Sequence, residues 1–267
     1  MTEIAPLNLA ADIIAIDPVL QRGQLGSATT KDMISTARAV FSSAPGPFSG
    51  AAALAKAALG ARGFLKADHF TVHYLCEGHS PAEARAKLAT LRRVAMNRGA
   101  AEVANVVPLT LHATPFMPFR PVLGPNGERW LPLHCVLPFS AAEGFHSALQ
   151  SFYAAEGDEM TRRGVFLGTM FLTVGSNAFV YEPTLYWRDS RRAIHEHFVP
   201  DEALRSLPVY EDDGDTRAYA FWLKKEIIAL MGAHGGEHYQ IGRSYPYFST
   251  RPAELQRLLV DLKHSLD

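Results

Sequence analysis

The sequence has little of several things, and each shortage closes a class of explanation. Two cysteines, Cys76 and Cys135, stand in 267 residues. That is too few for a disulfide framework, and a reducing cytoplasm is the expected setting. The 26 basic and 27 acidic residues nearly cancel and are spread along the chain, so no field is present that would gather nucleic acid or an anionic membrane surface. A small or apolar partner is expected instead. No apolar run approaches the roughly 18 residues that a membrane helix needs. The opening MTEIAPLNLAADIIAIDP carries acidic groups where a signal peptide carries basic ones. G-x-G-x-x-G is also missing, and with it the usual cradle for a dinucleotide pyrophosphate.

What is present is a 48% apolar chain, enough for a substantial core. Residues 1–66, rich in Ala, Gly, Ser and Pro, read as a helical arm or lid with helices near 30–42 and 50–59. Residues 67–267 read as one α+β domain. FTVHYLCE has strand composition, Ser80-Pro81-Ala82-Glu83 is a capping box with proline at the first helical position, and 102–107 returns as a strand. After a proline-punctuated crossing the order recurs: strand 130–137, helix 141–163, strands 164–174 and 178–186. Two strand-helix-strand units predict an antiparallel sheet with helices on one face. Further helices are expected over 215–231 and 252–266. The end at Leu266-Asp267, without a capping glycine, reads as that of a fragment.

HGGEHYQIGRSYPY, from His234 to Tyr247, contains the H-x-x-E-H spacing of one class of zinc peptidases. That chemistry needs both histidines on one helical face. Gly235 and Gly236 argue against it, because a glycine pair after a helix ending near Ala233 is a stop signal. His195-Glu196-His197 lies among Arg188, Asp189, Arg191 and Arg192 and reads as a solvated helix face. Phe116, Phe119 and Trp130 suit either an aromatic pocket or ordinary core anchoring.

Gly236-Glu237-His238-Tyr239 resembles the carboxyl-terminal part of the FAD-linked oxidases of the vanillyl-alcohol oxidase and 4-cresol dehydrogenase type. A second match precedes it: Trp130-Leu131-Pro132-Leu133-His134 followed by Val136-Leu137-Pro138-Phe139-Ser140 is similar to a family strand whose histidine is, in some members, joined to the flavin ring. The resemblance covers most of the chain from about Phe70 onward. It implies a cap and substrate domain, an oxidoreductase, with FAD as cofactor and the amino-terminal FAD-binding domain absent from this chain. His134 falls at the position of covalent attachment. His238 and Tyr239 stand where phenol-oxidising members carry a Tyr-Arg pair, and Arg243 stands at a later arginine near the flavin. The resemblance thus implies His238, Tyr239, Arg243 and Glu237 as catalytic residues, with His134 and Arg243 toward the cofactor. A substrate that is an alcohol, hydroxy acid or phenol is expected, as is an FAD-binding domain or subunit, or self-association, to cover an apolar face that includes some of Phe116, Phe119, Tyr245, Tyr247 and Phe248. Two other readings stand beside it: a non-catalytic subunit covering another chain's flavin, and a metal-dependent hydrolase.

Overall fold

The computed structural model describes residues 3–21, 69–103, 122–240 and 243–266, with isolated positions between. The helices expected over 30–42 and 50–59, most of the strand at 102–107, and Phe116 and Phe119 lie outside the described residues. The architecture is α+β, as the order of elements predicts. Six strands form one antiparallel sheet: β1 (Asp12–Ile16), β2 (Thr71–Leu75), β3 (Arg129–Pro132), β4 (Cys135–Pro138), β5 (Phe166–Val174) and β6 (Ala178–Trp187). The helices are α1 (Pro81–Asn97), α2 (Ala142–Arg163), α3 (Ala193–Phe198), α4 (Asp201–Ser206), α5 (Gly214–Ala233) and α6 (Ala253–Leu266).

The sheet runs β2-β1-β5-β6, and the outer edge of β6 carries β3 and β4 in succession. Strand β1 is a departure from the expected arm, since DIIAI pairs with β2 on one side and β5 on the other. Glu102 and Val103 are irregular, and the strand found beside β2 among the described residues is β1. The expected single strand over 130–137 is also two. Both pieces keep one register against β6, Arg129↔Trp187 through Pro132↔Thr184 and Cys135↔Tyr181 through Pro138↔Ala178. The ladder breaks opposite Pro183. The Pro183 carbonyl accepts from Leu133 N–H at 2.9 Å, but proline has no N–H to return the bond.

Helix α1 starts as the sequence signals: Ser80 Oγ accepts from the Glu83 N–H at 3.2 Å, while Glu83 reaches back to the His79 N–H at 2.9 Å. Its Leu91 packs with Ile13, Val72 and Tyr74. The main core lies between one sheet face (Leu185, Tyr181, Phe179 and Trp187 of β6, Phe171 of β5) and helices α2 and α5, through Phe145, Leu149, Leu223 and Ile227. On the opposite face Ile16, Phe166, Met170 and Tyr186 pack with Leu20, in the helical turn at 18–21. Among the described residues no helix is long and apolar enough to cross a membrane.

Asp189 ties the end of β6 to α5. It accepts both arms of Arg217, each at 2.7 Å, and the backbone N–H groups of Ser190 at 2.8 Å and Asp213 at 3.1 Å. The carboxylate is buried, yet these donors hold its pKa far below the ordinary range. A depressed acid stabilises the fold above its unfolded pKa and loses that contribution as pH falls. Asp189→Ala is expected to cost about 1–3 kcal/mol, because the backbone N–H groups of Ser190 and Asp213 lose their acceptor while Arg217 keeps its pair with Asp212. Chemical denaturation measures this, and the mutational cost should shrink toward zero as the pH is lowered through the acid range.

Candidate functional site

The site is built where the chain leaves α5 and closes the outer edge of β4. Helix α5 stops at Ala233, with His234 as its cap and Gly235 in the left-handed region at φ +74°. Gly236 is required for another reason: a Cβ there would lie 2.8 Å from the Met231 carbonyl oxygen and 3.0 Å from Cys135 Sγ. The glycine pair therefore ends a helix and lets the next residues press against β4. Glu237 exchanges two backbone hydrogen bonds with Val136, donating at 2.9 Å and accepting at 2.8 Å. This is one isolated bridge; residues 238–240 are irregular.

Two residues closer to the break, side chains replace backbone as partners. The His134 N–H donates to Tyr245 Oη at 2.9 Å, and the His134 carbonyl accepts from His238 Nδ1 at 3.1 Å. That bond places the proton of His238 on Nδ1. The rings stack in turn: His134 on Tyr239 at 4.6 Å between centroids, His238 on Tyr245 at 4.5 Å, and His134 tilted against Tyr245 at 5.1 Å. His134 and His238 are buried and their Nε2 atoms have no hydrogen-bond partner among the described residues. Burial lowers both pKa values, His134 further through His238. Tyr239, 51% exposed, is the open member of the cluster.

His134, Glu237, His238 and Tyr239 are thus brought together. Arg243 is not; it is exposed and forms no hydrogen bond or ion pair with the described residues. Glu237 pairs with Arg251, whose guanidinium also lies 4.9 Å from the Tyr247 ring centroid. Three residues that matter here were not singled out by the sequence pattern: Arg251, Tyr245 as a buried hydrogen-bond acceptor, and Glu182. Of the aromatics from which the exposed apolar face was expected to draw, Tyr245 is buried, Tyr247 half-buried and Phe248 exposed.

Glu182 is half-buried on β6, where burial raises its pKa to about 7. Its charge in turn raises the pKa of Tyr239 and Tyr245, after their own burial. In the zinc reading His234 and His238 would share a metal, but His234 turns back to the Leu230 carbonyl at 3.0 Å. Among the described residues no three His, Cys, Asp or Glu side chains are grouped to hold a metal ion. His195 is a correction of another kind: it is buried, its Nδ1 accepts from the Arg192 N–H at 2.8 Å, and burial followed by Arg129, Arg191 and Arg192 lowers its pKa to about 4.

Compared with known proteins, the chain matches no family model and no curated protein.

Tyr245→Phe removes the acceptor of a buried backbone N–H and leaves His134 unsatisfied. A loss of about 1–3 kcal/mol is expected from denaturant titration. Tyr239→Phe, at an exposed ring with no hydroxyl partner in the described residues, should change stability by less than about 0.5 kcal/mol.

Proposed function

We propose that the chain is the substrate-side cap of a flavin-dependent oxidoreductase, which passes hydride from a hydroxyl-bearing substrate to FAD while a partner domain binds the cofactor's phosphates. One observation supports this reading above others. The two sequence stretches that resemble the FAD-linked oxidases lie far apart in the chain, His134 and His238 being separated by 104 residues, yet they meet in one cluster. Two stretches matched by accident have no reason to converge.

The surfaces of the cluster decide how a flavin suits it. The exposed ring of Tyr239 offers a face for a planar ring system, and outside that cluster the guanidinium of Arg243, without an ion-pair partner among the described residues, suits an anionic group. His134 does not suit covalent attachment, because its ring is flanked by Tyr239 and Tyr245 and its Nε2 is buried. Tyr239 is therefore the residue of the cluster that would hold the cofactor, without a bond to His134. When bound, the flavin supplies hydride acceptance.

The protein's own part is positioning and proton placement. The hydroxyl of Tyr239 stays protonated at neutral pH because burial and Glu182 raise its pKa, so it acts as a donor to the substrate oxygen. His238 is buried and hydrogen-bonded to the His134 carbonyl, a role in holding Tyr239 in place rather than in touching substrate. Glu237 secures the same segment from the far side through Arg251 and through Val136.

Flavin fluorescence tests the reading, since stacking on an aromatic ring quenches it. FAD titrated into two preparations, the purified chain alone and the chain with whatever protein co-purifies with it, should be quenched in at least the second case. Tyr239→Ala should then weaken binding by roughly threefold to tenfold. Absence of quenching in both preparations would discard the flavin reading.

A further inference from the structure

The register of the sheet assembles a row of side chains on the face opposite the main core. Thr71 pairs with Ile16, Ile16 with Met170 and Met170 with Glu182. Cys135 pairs with Tyr181 and Val136 with Glu237, so His134 stands across from Glu182, and Tyr239 across from His134. The stacked rings of His134 and Tyr239 agree with that count. Glu182 is the acidic member of a row that is otherwise apolar, hydroxyl or aromatic. Burial alone acts on its carboxyl: no hydrogen bond, lysine or arginine among the described residues offsets the cost. An acid placed in that setting by a purely structural requirement would be replaced at no loss by Gln or Leu.

We propose that Glu182 is the proton acceptor of this site and that the substrate is a neutral hydroxyl compound, not a hydroxy acid or a phenolate. The fate of the substrate rests on the flavin reading; the proton step rests on the sheet geometry. The O–H bond of the bound substrate breaks, its proton forms a new O–H bond on the Glu182 carboxylate, and the electron pair stays on the substrate oxygen beside the Tyr239 hydroxyl. With a bound flavin as the two-electron oxidant, that pair would become the second bond of a carbonyl as hydride leaves the adjacent carbon.

The neighbours of Glu182 favour this. Tyr239, Tyr245 and Tyr186 all sense its charge and all stay protonated, with Asp17 beside Tyr186 on the side of β1. His134 opposite it is held neutral by burial. An acid poised near pH 7 is half in its basic form at neutral pH, where a proton acceptor is most effective. An anionic substrate would instead meet the carboxylate of Glu182, on which no lysine or arginine among the described residues acts.

The test needs no flavin. Carboxyl ¹³C shifts of the Glu-labelled full chain should show one group titrating near pH 7 that vanishes in the isosteric Glu182→Gln. Benzyl alcohol, as a neutral probe, should bind about tenfold more tightly at about pH 8.5 than at about pH 5.5, as the carboxylate forms. Glu182→Gln should bind it equally at both, and benzoate should bind neither form of the wild type measurably. A Glu182 carboxyl titrating in the ordinary range, no binding of benzyl alcohol, or wild-type binding that ignores pH would each overturn the proposal. Loss of flavin binding alone would overturn the cofactor assignment and leave the titration result standing. The sign has an independent readout in thermal melting. A raised acid costs stability as pH climbs from its unfolded value through its folded one. Glu182→Gln should therefore melt level with wild type near about pH 4 and several degrees above it at about pH 8.5.

Discussion

An open sheet edge leaves a row of backbone donors and acceptors without partners, and a closed one must find something other than a further strand if the sheet is to end. The outer edge of β4 is closed by three different means within a few residues. Val136 receives a backbone partner, Glu237; the His134 N–H receives a phenol, Tyr245; and the His134 carbonyl receives an imidazole, His238. Side chains take over where backbone pairing stops. The candidate site is therefore also the edge cap of the sheet, and its residues cannot be removed without exposing buried polar backbone.

Strand β6 imposes the second constraint. Its odd-numbered residues from Phe179 to Trp187 face the helices and are almost wholly buried, so its register is fixed by the main core. A slip of one residue would carry Glu182 into that core and Tyr181 out of it. The helices α2 and α5, on the far side of the sheet, thus determine where Glu182 stands. Pro183 adds to this from the same strand, because its missing N–H interrupts the ladder beside His134.

The parts of this arrangement legible in the sequence are those written in adjacent residues. The capping box before α1, the glycine stop after α5, the periodic helices and the alternation of β5 and β6 each carry a local signature, and the fold class follows from their order. Strand β1 was hidden because DIIAI is five residues long within an Ala- and Pro-rich opening, and only its pairing with β2 and β5 identifies it. The interruption at Leu133 and His134 has its cause in Pro183, fifty residues onward in the chain and adjacent only in the sheet. His195 was disguised by charged neighbours that point elsewhere while it turns inward. Glu182 and Tyr245 carry no motif, and their meaning depends entirely on which side chains the sheet and its edge bring beside them.

Those neighbours also set what the cluster can do electrically. Burial lowers the pKa of both histidines, which keeps them neutral, and raises that of Tyr239 and Tyr245, which keeps them neutral too. The same physical cause, loss of water around a charge, acts in opposite directions on bases and acids and leaves a wide pH interval in which none of the four changes its charge. The carboxyl of Glu182 falls inside that interval. Around neutrality, a pH change is therefore felt in this cluster through Glu182, and Tyr239 and Tyr245 respond to it as hydrogen-bonding groups whose protons become harder to remove.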